Sequence, residues 1–422
     1  MTRSLLFIAY LYPPFANSGT RRSLEFANHL PDCGWQPTVL TLTSPKPRDL
    51  DVRLLDEVRA GTRVLRAPHA SERWARRVSA FAPASHRARV FDAVKWRLDE
   101  LWTVPDDCAM WRSEAVETAL RAHRETPFDA ILATGSPWTS FLVAHDVARR
   151  TGLPYVLDYR DQWRSNGSLP WENDSRLQRW LGPHLERRAA SKAAAIVTVT
   201  PTLAEELKSH TCRSEIECVT NGFEPKDFAD LPARPSDGLV RVSYAGVWRP
   251  GYGLDLLYRA VQRLKQAGAA GLSRLRVDVA GFPPGPAAEF GIQDVVHEQG
   301  RVTHTAALRL MMDADLVFLP VPNGFYARAS LPGKLFEYLG SGRPILAAAP
   351  ADSEVARVIE DVGGGRQIGP GDVEAAAAVL ADLCAGRALS GFTAQRPERL
   401  AAYTRAATAR QLGGILDKAI QS

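Results

Sequence analysis

Short apolar runs alternate with amphipathic helical patterns along the whole chain, and this alternation limits the possible folds more than any other feature. The first series reads "LLFIAYL", "PTVLTL", "TRVLRA", "DAILATG", "PYVLDYR", "AIVTVT" and "IECVTNG", and a second series reads "VRVSYAG", "LRVDVAG", "ADLVFLPV" and "RPILAAAP". Apolar strands with helices between them form parallel sheets that helices cover on both faces. The sequence therefore predicts the doubly wound α/β class.

The two series are separated by "NGFEPKDFADLPARPSDG", residues 221–238, in which proline and aspartate replace the periodic pattern. A chain of 422 residues is also too long for one ordinary core. We predict two Rossmann-like domains facing a cleft, an N-terminal one at residues 1–225 and a C-terminal one at residues 239–400. Ligands of such sheets bind beyond the carboxyl ends of the strands. Residues at these ends include Gly19, Gly135, Asp158, Gly246 and Gly281.

Composition and charge exclude several classes of protein. Hydrophobic residues make up 45% and charged residues 23%, as in soluble globular proteins, and no apolar run approaches the ~20 residues of a membrane-spanning helix. The opening "SLLFIAYL" predicts a first strand rather than a signal peptide, so we expect a cytoplasmic protein. The net charge of +5 favours contact with phosphate or anionic membrane over nucleic acid. Five cysteines without a CxxC pair argue against disulfides and zinc, and the absence of GxGxxG after the first strand argues against a dinucleotide cofactor.

The stretch "SLPGKLFEYLGSGRPILAAAP", residues 330–350, contains a turn, a short helix and an apolar strand. Pro332 and Gly333 predict a helix start, because proline loses nothing at the first helical position and glycine lets a ligand approach the backbone. The free amides of the first turn, the helix dipole and Lys334 together favour an anion, and we expect a phosphate. Glu337 either stabilises the start of the helix or contacts a ligand, and the local sequence leaves both interpretations open.

Several segments carry a resemblance to a known family over nearly the whole chain. In order, they are "YLYPPFANSGTRRSLEFANHLPDCGWQPTVLTL", "VLDYRDQW", "VTNGFEPKDF", "VSYAGVWRPGYGLDLLYRAV" and "SLPGKLFEYLGSGRPIL". Together they resemble the retaining glycosyltransferases of family 4, which have the GT-B fold, and "DYRDQW" is similar to a branch of bacterial members. The last helical pattern, in residues 401–422, is similar to the helix that crosses back to the first domain in GT-B enzymes.

The resemblance implies a second domain that holds a nucleotide diphosphate sugar, with a UDP-sugar as our expectation, and transfer of a hexosyl or N-acetylhexosaminyl unit with retention. Glu337 falls at the second glutamate of the family's E-x7-E pattern, which is expected to hold the ribose hydroxyls. The donor-binding residues implied in this way, or placed with them on the donor side, are Gly19, Gly246, Arg249, Arg301, Val302, Leu331, Pro332, Gly333, Lys334 and Glu337.

The chain departs from the family at several positions. The first glutamate of E-x7-E falls at Ala329, and the cations usual in the loop after Gly246 fall at Val247 and Tyr252. Arg249, in the same loop, is either the substitute cation or a solvated arginine. The usual His-Asp pair of the first domain reads Arg160-Asp161.

Breaking a sugar–phosphate bond leaves negative charge on the diphosphate, so the site needs preorganised positive charge. We assign this role to Arg249, Lys334 and the Gly19 loop, and include Arg160 and Asp161 among the catalytic candidates. Acceptor-side candidates are Arg22, Asp158 and Trp163. The alternatives are a turn glycine at Gly19, a solvated Arg22, and structural pairs of Asp158 and Asp161 with Arg160 or Arg164.

Acidic pairs that resemble the metal-binding Asp-x-Asp of other glycosyltransferases occur at Asp49–Asp51 and Asp313–Asp315. Both lie where caps and turns are expected, and His210, Cys212 and Cys218 have poor metal-ligand spacing. We therefore expect no metal and no cofactor beyond the nucleotide-sugar co-substrate.

Residues 73–97 contain seven cations, Arg73, Arg76, Arg77, Arg87, Arg89, Lys95 and Arg97, with Asp92 as the single acid and with Trp74, Val78 and Phe81 at helical spacing. Such a surface suits a peripheral contact with the inner face of a membrane, and then a lipid-linked saccharide as acceptor. Alternatively, an ordinary helix buries the apolar stripe and solvates the arginines, and then a soluble small molecule is an equally good acceptor.

Two other functions stay open at this point. A non-hydrolysing sugar-nucleotide epimerase shares the GT-B architecture. A degenerate, non-catalytic transferase that still binds nucleotide sugars is suggested by Ala329 and Tyr252. A retaining glycosidase is the weaker alternative, because no pair of carboxylates identifies itself in the sequence.

Overall fold

The computed structural model describes residues 2–16, 18–43, 50–101, 103–163, 176–229, 237–246, 253–281, 286–321 and 324–421. The chain forms two compact units, Met1–Thr220 with Thr408–Ser422, and Asn221–Ala407. These limits lie a few residues from the predicted ones at 225 and 400. The reason is that the Phe223 amide donates to Tyr403 O at 3.0 Å and the Arg405 amide donates to Phe223 O at 2.9 Å, which joins both segments to the second unit.

The first unit contains a seven-stranded sheet in the order β3-β2-β1-β4-β5-β6-β7, in which neighbouring strands are parallel. All of the strands that the first apolar series predicts are present. They are β1 (Arg3–Ile8), β2 (Trp35–Leu42), β3 (Arg63–Ala67), β4 (Ala130–Gly135), β5 (Tyr155–Tyr159), β6 (Ala195–Thr198) and β7 (Glu217–Cys218).

Helices cover both faces of this sheet, because successive side chains of a strand point to opposite faces. In β1, Leu6 and Ile8 pack into one apolar cluster, and Leu5 and Phe7 pack into another. The helices are α1 (Ser18–His29), α2 (Ala70–Ser79), α3 (Arg87–Leu101), α4 (Arg112–Glu125), α5 (Thr139–Thr151), α6 (Arg176–Ala190), α7 (Pro201–Thr211) and the final helix, which spans Arg405–Ala419. Short 3-10 helices occupy Leu30–Cys33, Val52–Leu55, Ala84–His86 and Ala109–Trp111.

The part of the final helix that belongs to the first unit packs Leu412 and Leu416 into the same cluster as Leu5 and Phe7. Its Asp417 carboxylate accepts a hydrogen bond of 2.8 Å from the indole nitrogen of Trp35. This end of the chain therefore forms part of the core of the first unit. Among the helices of the described chain, none is both long enough and apolar enough to cross a membrane.

The second unit contains a six-stranded sheet in the order β10-β9-β8-β11-β12-β13, again with parallel neighbours. Its strands are β8 (Val240–Ala245), β9 (Leu275–Ala280), β10 (Val296–Glu298), β11 (Leu316–Pro320), β12 (Ile345–Ala348) and β13 (Gly365–Ile368). The edge strands β10 and β13 are absent from the sequence prediction. Their sequences, VHE and GRQI, are short and largely polar, so they give no apolar run.

The helices of the second unit are α8 (Lys226–Ala229), α9 (Leu254–Gln266), α10 (His304–Asp313), α11 (Phe325–Ala329), α12 (Gly333–Ser341), α13 (Glu354–Val362), α14 (Val373–Cys384) and α15 (Pro397–Leu400), and the final helix of the chain is α16. Further 3-10 helices occupy Leu272–Arg274, Pro286–Ala288 and Ala401–Tyr403. In β11, Leu316 and Phe318 pack on one face of the sheet and Val317 and Leu319 on the other. Helix α12 is capped at its C-terminus by Gly342, whose φ of 67° favours glycine.

Candidate functional site

In the second unit, Lys334 lies across the carboxyl end of β8. Its ammonium group donates a hydrogen bond of 3.0 Å to the Tyr244 hydroxyl and lies 4.2 Å from the centroid of the Tyr244 ring. A Cβ atom on Gly246 would lie 2.0 Å from Lys334 Nζ. Glycine at position 246 is therefore what allows the cation to occupy this place.

Burial lowers the pKa of Lys334 to about 8, although the Glu337 carboxylate favours the charged form. A lysine whose charge is destabilised in this way gains from an anion that replaces the lost hydration. It stands in the first turn of α12, where the amides and the helix dipole also favour an anion. A Cβ on Gly333 would meet no atom within 4 Å, so the backbone at the start of this helix is open to a ligand.

Glu337, one turn inside α12, contacts a residue that the sequence analysis did not identify. Its Oε1 lies 2.9 Å from Nε2 of His304, the first residue of α10. The Thr303 hydroxyl accepts a hydrogen bond from the Ala306 amide and so fixes the start of α10. The signal in the sequence was this Thr303 cap, directly after Arg301 and Val302.

The other donor-side candidates fall into three groups. Arg301 is exposed and Val302 is half-buried, and both lie in the connection that leads to α10. Leu331, by contrast, is a buried part of the core, so only its backbone is available to a donor. Ala329, at the place of the family's first glutamate, is buried as well. Val247, Arg249 and Tyr252 lie outside the described residues.

In the first unit, Gly19 and Arg160 meet at the start of α1. A Cβ on Gly19 would lie 2.1 Å from Arg160 Nη1. The Arg160 guanidinium also donates to the backbone oxygen atoms of Gly135, at 3.1 Å from Nε, and of Ser136. Burial lowers the pKa of Arg160, and the half-buried Asp161 favours its charged form. The structure thus brings Gly19, Arg160 and Asp161 together and places a desolvated cation beside a helix N-terminus.

The acceptor-side candidates Arg22 and Asp158 form a buried ion pair. Arg22 Nε donates to Asp158 Oδ2 at 3.0 Å and Nη2 donates to Oδ1 at 2.7 Å, while Nη1 donates to Thr220 O at 3.0 Å. Asp158 also accepts a hydrogen bond of 2.8 Å from the Thr134 hydroxyl. The expectation of a solvated Arg22 is wrong, and the partner of Asp158 is Arg22 rather than Arg160. The geometry favours a structural role, since it ties α1 to β5 and to the segment after β7.

Trp163, the third acceptor-side candidate, is largely buried in an aromatic cluster. Its ring stacks on Trp138 with centroids 5.4 Å apart and planes 10° from parallel, and both side chains are only 8% exposed. Phe141 and Tyr159 pack against the same rings. A packing role therefore explains this tryptophan, because its flat face is already covered.

The acidic pairs considered as metal ligands serve as caps and ion pairs where they are described. Asp313 accepts a hydrogen bond of 2.8 Å from Arg309, and Asp315 accepts one of 2.8 Å from the Arg241 amide. Asp51 caps the 3-10 helix at residues 52–55, and Asp49 lies outside the described residues.

A second acidic group lies in the first unit, where ligand atoms of Asp106, Asp107 and Cys108 come within 4.8 Å of one another. Thr139 occupies both oxygens of Asp106, with its hydroxyl at 2.6 Å and its amide at 2.9 Å. Asp106 therefore acts as a cap for the start of α5.

Comparison with known proteins bears on the chemistry of these groups. The family described as "Glycosyl transferase 4-like domain" matches residues 19–222, and the family described as "Glycosyl transferases group 1" matches residues 240–385. A curated relative, the MMP α-(1→4)-mannosyltransferase of Mycolicibacterium hassiacum, is 28% identical over 232 residues, which make up 53% of this chain and 54% of the relative. The match therefore spans about half the length of that relative.

Two solved structures share the fold across both units. Sucrose-phosphate synthase from Thermosynechococcus elongatus superposes with a TM-score of 0.62 at 16% identity and covers 98% of each chain. The Anabaena protein HepE, solved in complex with UDP-glucose, superposes with a TM-score of 0.55 at 14% identity and covers 99% of this chain and 97% of its own. Since the two family matches also account for most of the sequence, the chain belongs to the GT-B glycosyltransferases.

Proposed function

We propose that the protein is a retaining glycosyltransferase that moves a hexosyl or N-acetylhexosaminyl unit from a UDP-sugar to a hydroxyl acceptor. Glycosyl transfer itself follows from membership of the family. The identity of the donor, the stereochemistry of the reaction and the acceptor are what we propose. The observation that carries the donor proposal is the first turn of α12, where Lys334 contacts Tyr244 at the end of β8, Glu337 meets His304, and the backbone of Gly333 is open.

A nucleoside diphosphate fits the chemistry of this arrangement. Its phosphates would lie at Lys334 and the first amides of α12, and its ribose hydroxyls at the carboxylate of Glu337, which can accept two hydrogen bonds. As the sugar–phosphate bond breaks, negative charge grows on the diphosphate, and one preorganised donor is typically worth ~3 kcal/mol to that transition state. Lys334 is therefore expected to act on turnover more than on affinity.

The comparisons support the finer parts of the donor proposal. HepE was solved with UDP-glucose, which agrees with a UDP-sugar as the donor. The name of the mycobacterial relative specifies an α-linkage, which is the product that retention gives from an α-linked sugar nucleotide. A panel of nucleotide sugars identifies the donor.

Calorimetry with a panel of UDP- and GDP-sugars tests the donor site. Glu337→Ala should weaken binding by roughly tenfold or more, because it removes a charged acceptor from the ribose. Glu360→Ala, at an exposed position of α13, is the matched control and should leave affinity unchanged. Unchanged nucleotide affinity in a folded Glu337→Ala variant would contradict the assignment of Glu337 to the ribose. NMR of the product gives the anomeric configuration, and inversion would contradict a retaining mechanism.

We propose an anionic membrane surface as the place of the acceptor, on the evidence of α2. The buried side of this helix is formed by Glu72 and by small residues, among them Ala70, Ala75 and Ser79, while Trp74 and Val78 are 53% and 44% exposed. Phe81, directly after the helix, is 93% exposed. The helix thus buries its small side chains and presents its large apolar ones, which is the reverse of an ordinary α/β helix.

Charge and shape near this stripe suit a lipid. Arg76 and Arg77 are exposed, and the Arg77 guanidinium lies 5.6 Å from the Trp74 ring. Arg73, in contrast, is paired with Glu114. A cavity of about 870 Å³ adjoins the stripe and is lined mainly by apolar side chains, including Trp74, Val78, Val94, Met110 and Val116. These features favour a lipid-linked saccharide as acceptor over a soluble small molecule.

Sedimentation with anionic vesicles tests the membrane contact. Each cation near such a surface contributes up to ~1 kcal/mol, so binding should be measurable at low salt and fall as salt screens the charges. Replacing Arg76 and Arg77 by glutamate, or Trp74 by alanine, should remove it. Trp180→Ala is the matched control, since Trp180 of α6 is 67% exposed. Absence of vesicle binding at low salt would contradict the proposal of a lipid-linked acceptor and favour a soluble one.

A further inference from the structure

His304 and Glu337 come from different helices and meet at the edge of the sheet where both helices begin. The distance between Nε2 and Oε1 is 2.9 Å, with side chains that are 36% and 23% exposed. The contact is thus ordered but still accessible from solvent. Part of the Glu337 side chain is therefore exposed to a ligand at this edge.

The contact is not needed to hold the two helices together. Leu308 and Met311 of α10 share an apolar cluster with Leu335 and Leu339 of α12, and all four are buried. Thr303 independently caps the start of α10. The apolar contacts and the cap already stabilise the packing of α10 against α12. The polar contact between His304 and Glu337, at the edge of this interface, therefore adds little to the stability of the fold.

The contact between His304 and Glu337 can fix the orientation of the Glu337 carboxylate. A glutamate has several freely rotating bonds, and a binding site gains affinity when a neighbour fixes such a side chain before the ligand arrives. The imidazole holds Oε1 from the side of α10, so the carboxylate is constrained in advance on the edge that carries Lys334. Preorganisation of this kind affects only ligand groups that touch the carboxylate.

We propose that His304 is a positioning residue that fixes Glu337 for the ribose hydroxyls and thereby makes the site select ribonucleotides over deoxyribonucleotides. The inference rests on the proposed donor site, in which Glu337 receives the ribose. It assigns His304 no contact with the reacting atoms. His304 acts through Glu337, so its effect must become much smaller when the 2′-hydroxyl, one of the two hydroxyls that Glu337 receives, is absent.

The test is a thermodynamic cycle that compares binding free energies while residue 304 of the protein and the 2′-hydroxyl of the ligand are each changed. Calorimetry on the full chain measures binding of UDP and GDP, each beside its 2′-deoxy counterpart, to the wild type, His304→Ala and His304→Gln. His304→Ala should weaken binding of the ribonucleotide about tenfold, the size of effect expected when one oriented hydrogen bond is lost. Binding of the deoxynucleotide should change less than about twofold, because a ligand without the hydroxyl gains little from the orientation. His304→Gln should restore most of the selectivity, since its amide can donate to the same oxygen.

Two controls separate positioning from folding. Melting of each variant reports stability, and His297→Ala, at an exposed position of β10, should leave both affinities unchanged. Equal weakening of ribo- and deoxynucleotide binding by His304→Ala, or no weakening, overturns the inference while the donor site stands. Wild-type protein that binds neither UDP nor GDP overturns the proposed donor site and the inference together.

Discussion

Lys334 should make the free protein less stable than a variant without its charge. The structure holds its ammonium group where burial lowers the pKa from 10.5 to about 8, so the folded state pays to keep it protonated at neutral pH. Lys334→Met keeps a long, flexible apolar side chain at the same place. We expect this variant to melt at a higher temperature than the wild type at pH 7 and to bind nucleoside diphosphates more weakly.

The magnitude follows from the shift in pKa. At about 1.4 kcal/mol for each unit of pKa, the charge costs the folded state roughly 3 kcal/mol. Replacing the lysine removes this cost, but it also removes the contact with Tyr244, a cation–π interaction with one hydrogen bond. The loss of that contact offsets about 1 kcal/mol of the stabilisation. The net stabilisation is then about 2 kcal/mol, or roughly 5 °C in melting temperature for a unit of this size.

The dependence on pH has a definite sign. Because the folded pKa is lowered, the unfolded state binds more protons between about pH 8 and 10.5, and wild-type stability rises with pH over that range. The advantage of Lys334→Met should be complete below pH 8 and lost by about pH 10.5. Thermal melts of both proteins at pH 7 and pH 10 measure this difference, with Lys226→Met as a control because its side chain is 78% exposed. A variant that is less stable at pH 7, or an advantage independent of pH, would refute the reasoning.

Three further outcomes test the rest of the structure. Asp158→Ala should destabilise the first unit by about 3–5 kcal/mol in denaturant unfolding, because it leaves the buried Arg22 guanidinium uncompensated, and a loss below ~1 kcal/mol would contradict a structural pair. Gly246→Ala should displace Lys334 from its buried place and weaken UDP binding about tenfold. Gly371→Ala, where a Cβ meets nothing within 4 Å, should not affect binding, and equal binding by both variants would count against the site. Glycosyl transfer should persist in excess chelator, and a strict need for a divalent cation would overturn the assignment of charge compensation to protein groups.

The strands could be predicted where they are long and apolar. The first series of runs predicted all seven strands of the first sheet, and of these the central strands β1, β4 and β5 are buried along nearly their whole length, as a core with helices on both faces requires. The edge strands β10 and β13 could not be found in this way. These two strands are only three and four residues long and largely polar, so VHE and GRQI carry no apolar signal. The fold class was therefore accessible from sequence, while the width of the second sheet was not.

The candidate site was accessible only where a single element carries it. The start of α12 brings Gly333, Lys334 and Glu337 together within one turn, and local chemistry was enough to favour an anion there. His304 lies 33 residues before Glu337, and the pair of Arg22 and Asp158 is separated by 136 residues. Contacts of this kind depend on which strand ends are neighbours, which no local pattern specifies.

In both units a glycine leaves room for a buried cation beyond the carboxyl ends of the strands. In the first, the missing side chain of Gly19 leaves room for the Arg160 guanidinium, and in the second, that of Gly246 leaves room for the Lys334 ammonium. In both cases burial lowers the pKa of the cation, so each charge is held in a place where it is less favourable than in water. A glycine in these positions therefore helps to set the pKa of the cation beside it, because any larger residue would push the charged group out to solvent. The sequence analysis named both glycines as donor-side residues, because a glycine that leaves room for a ligand and a glycine that leaves room for a cation have the same signature in sequence.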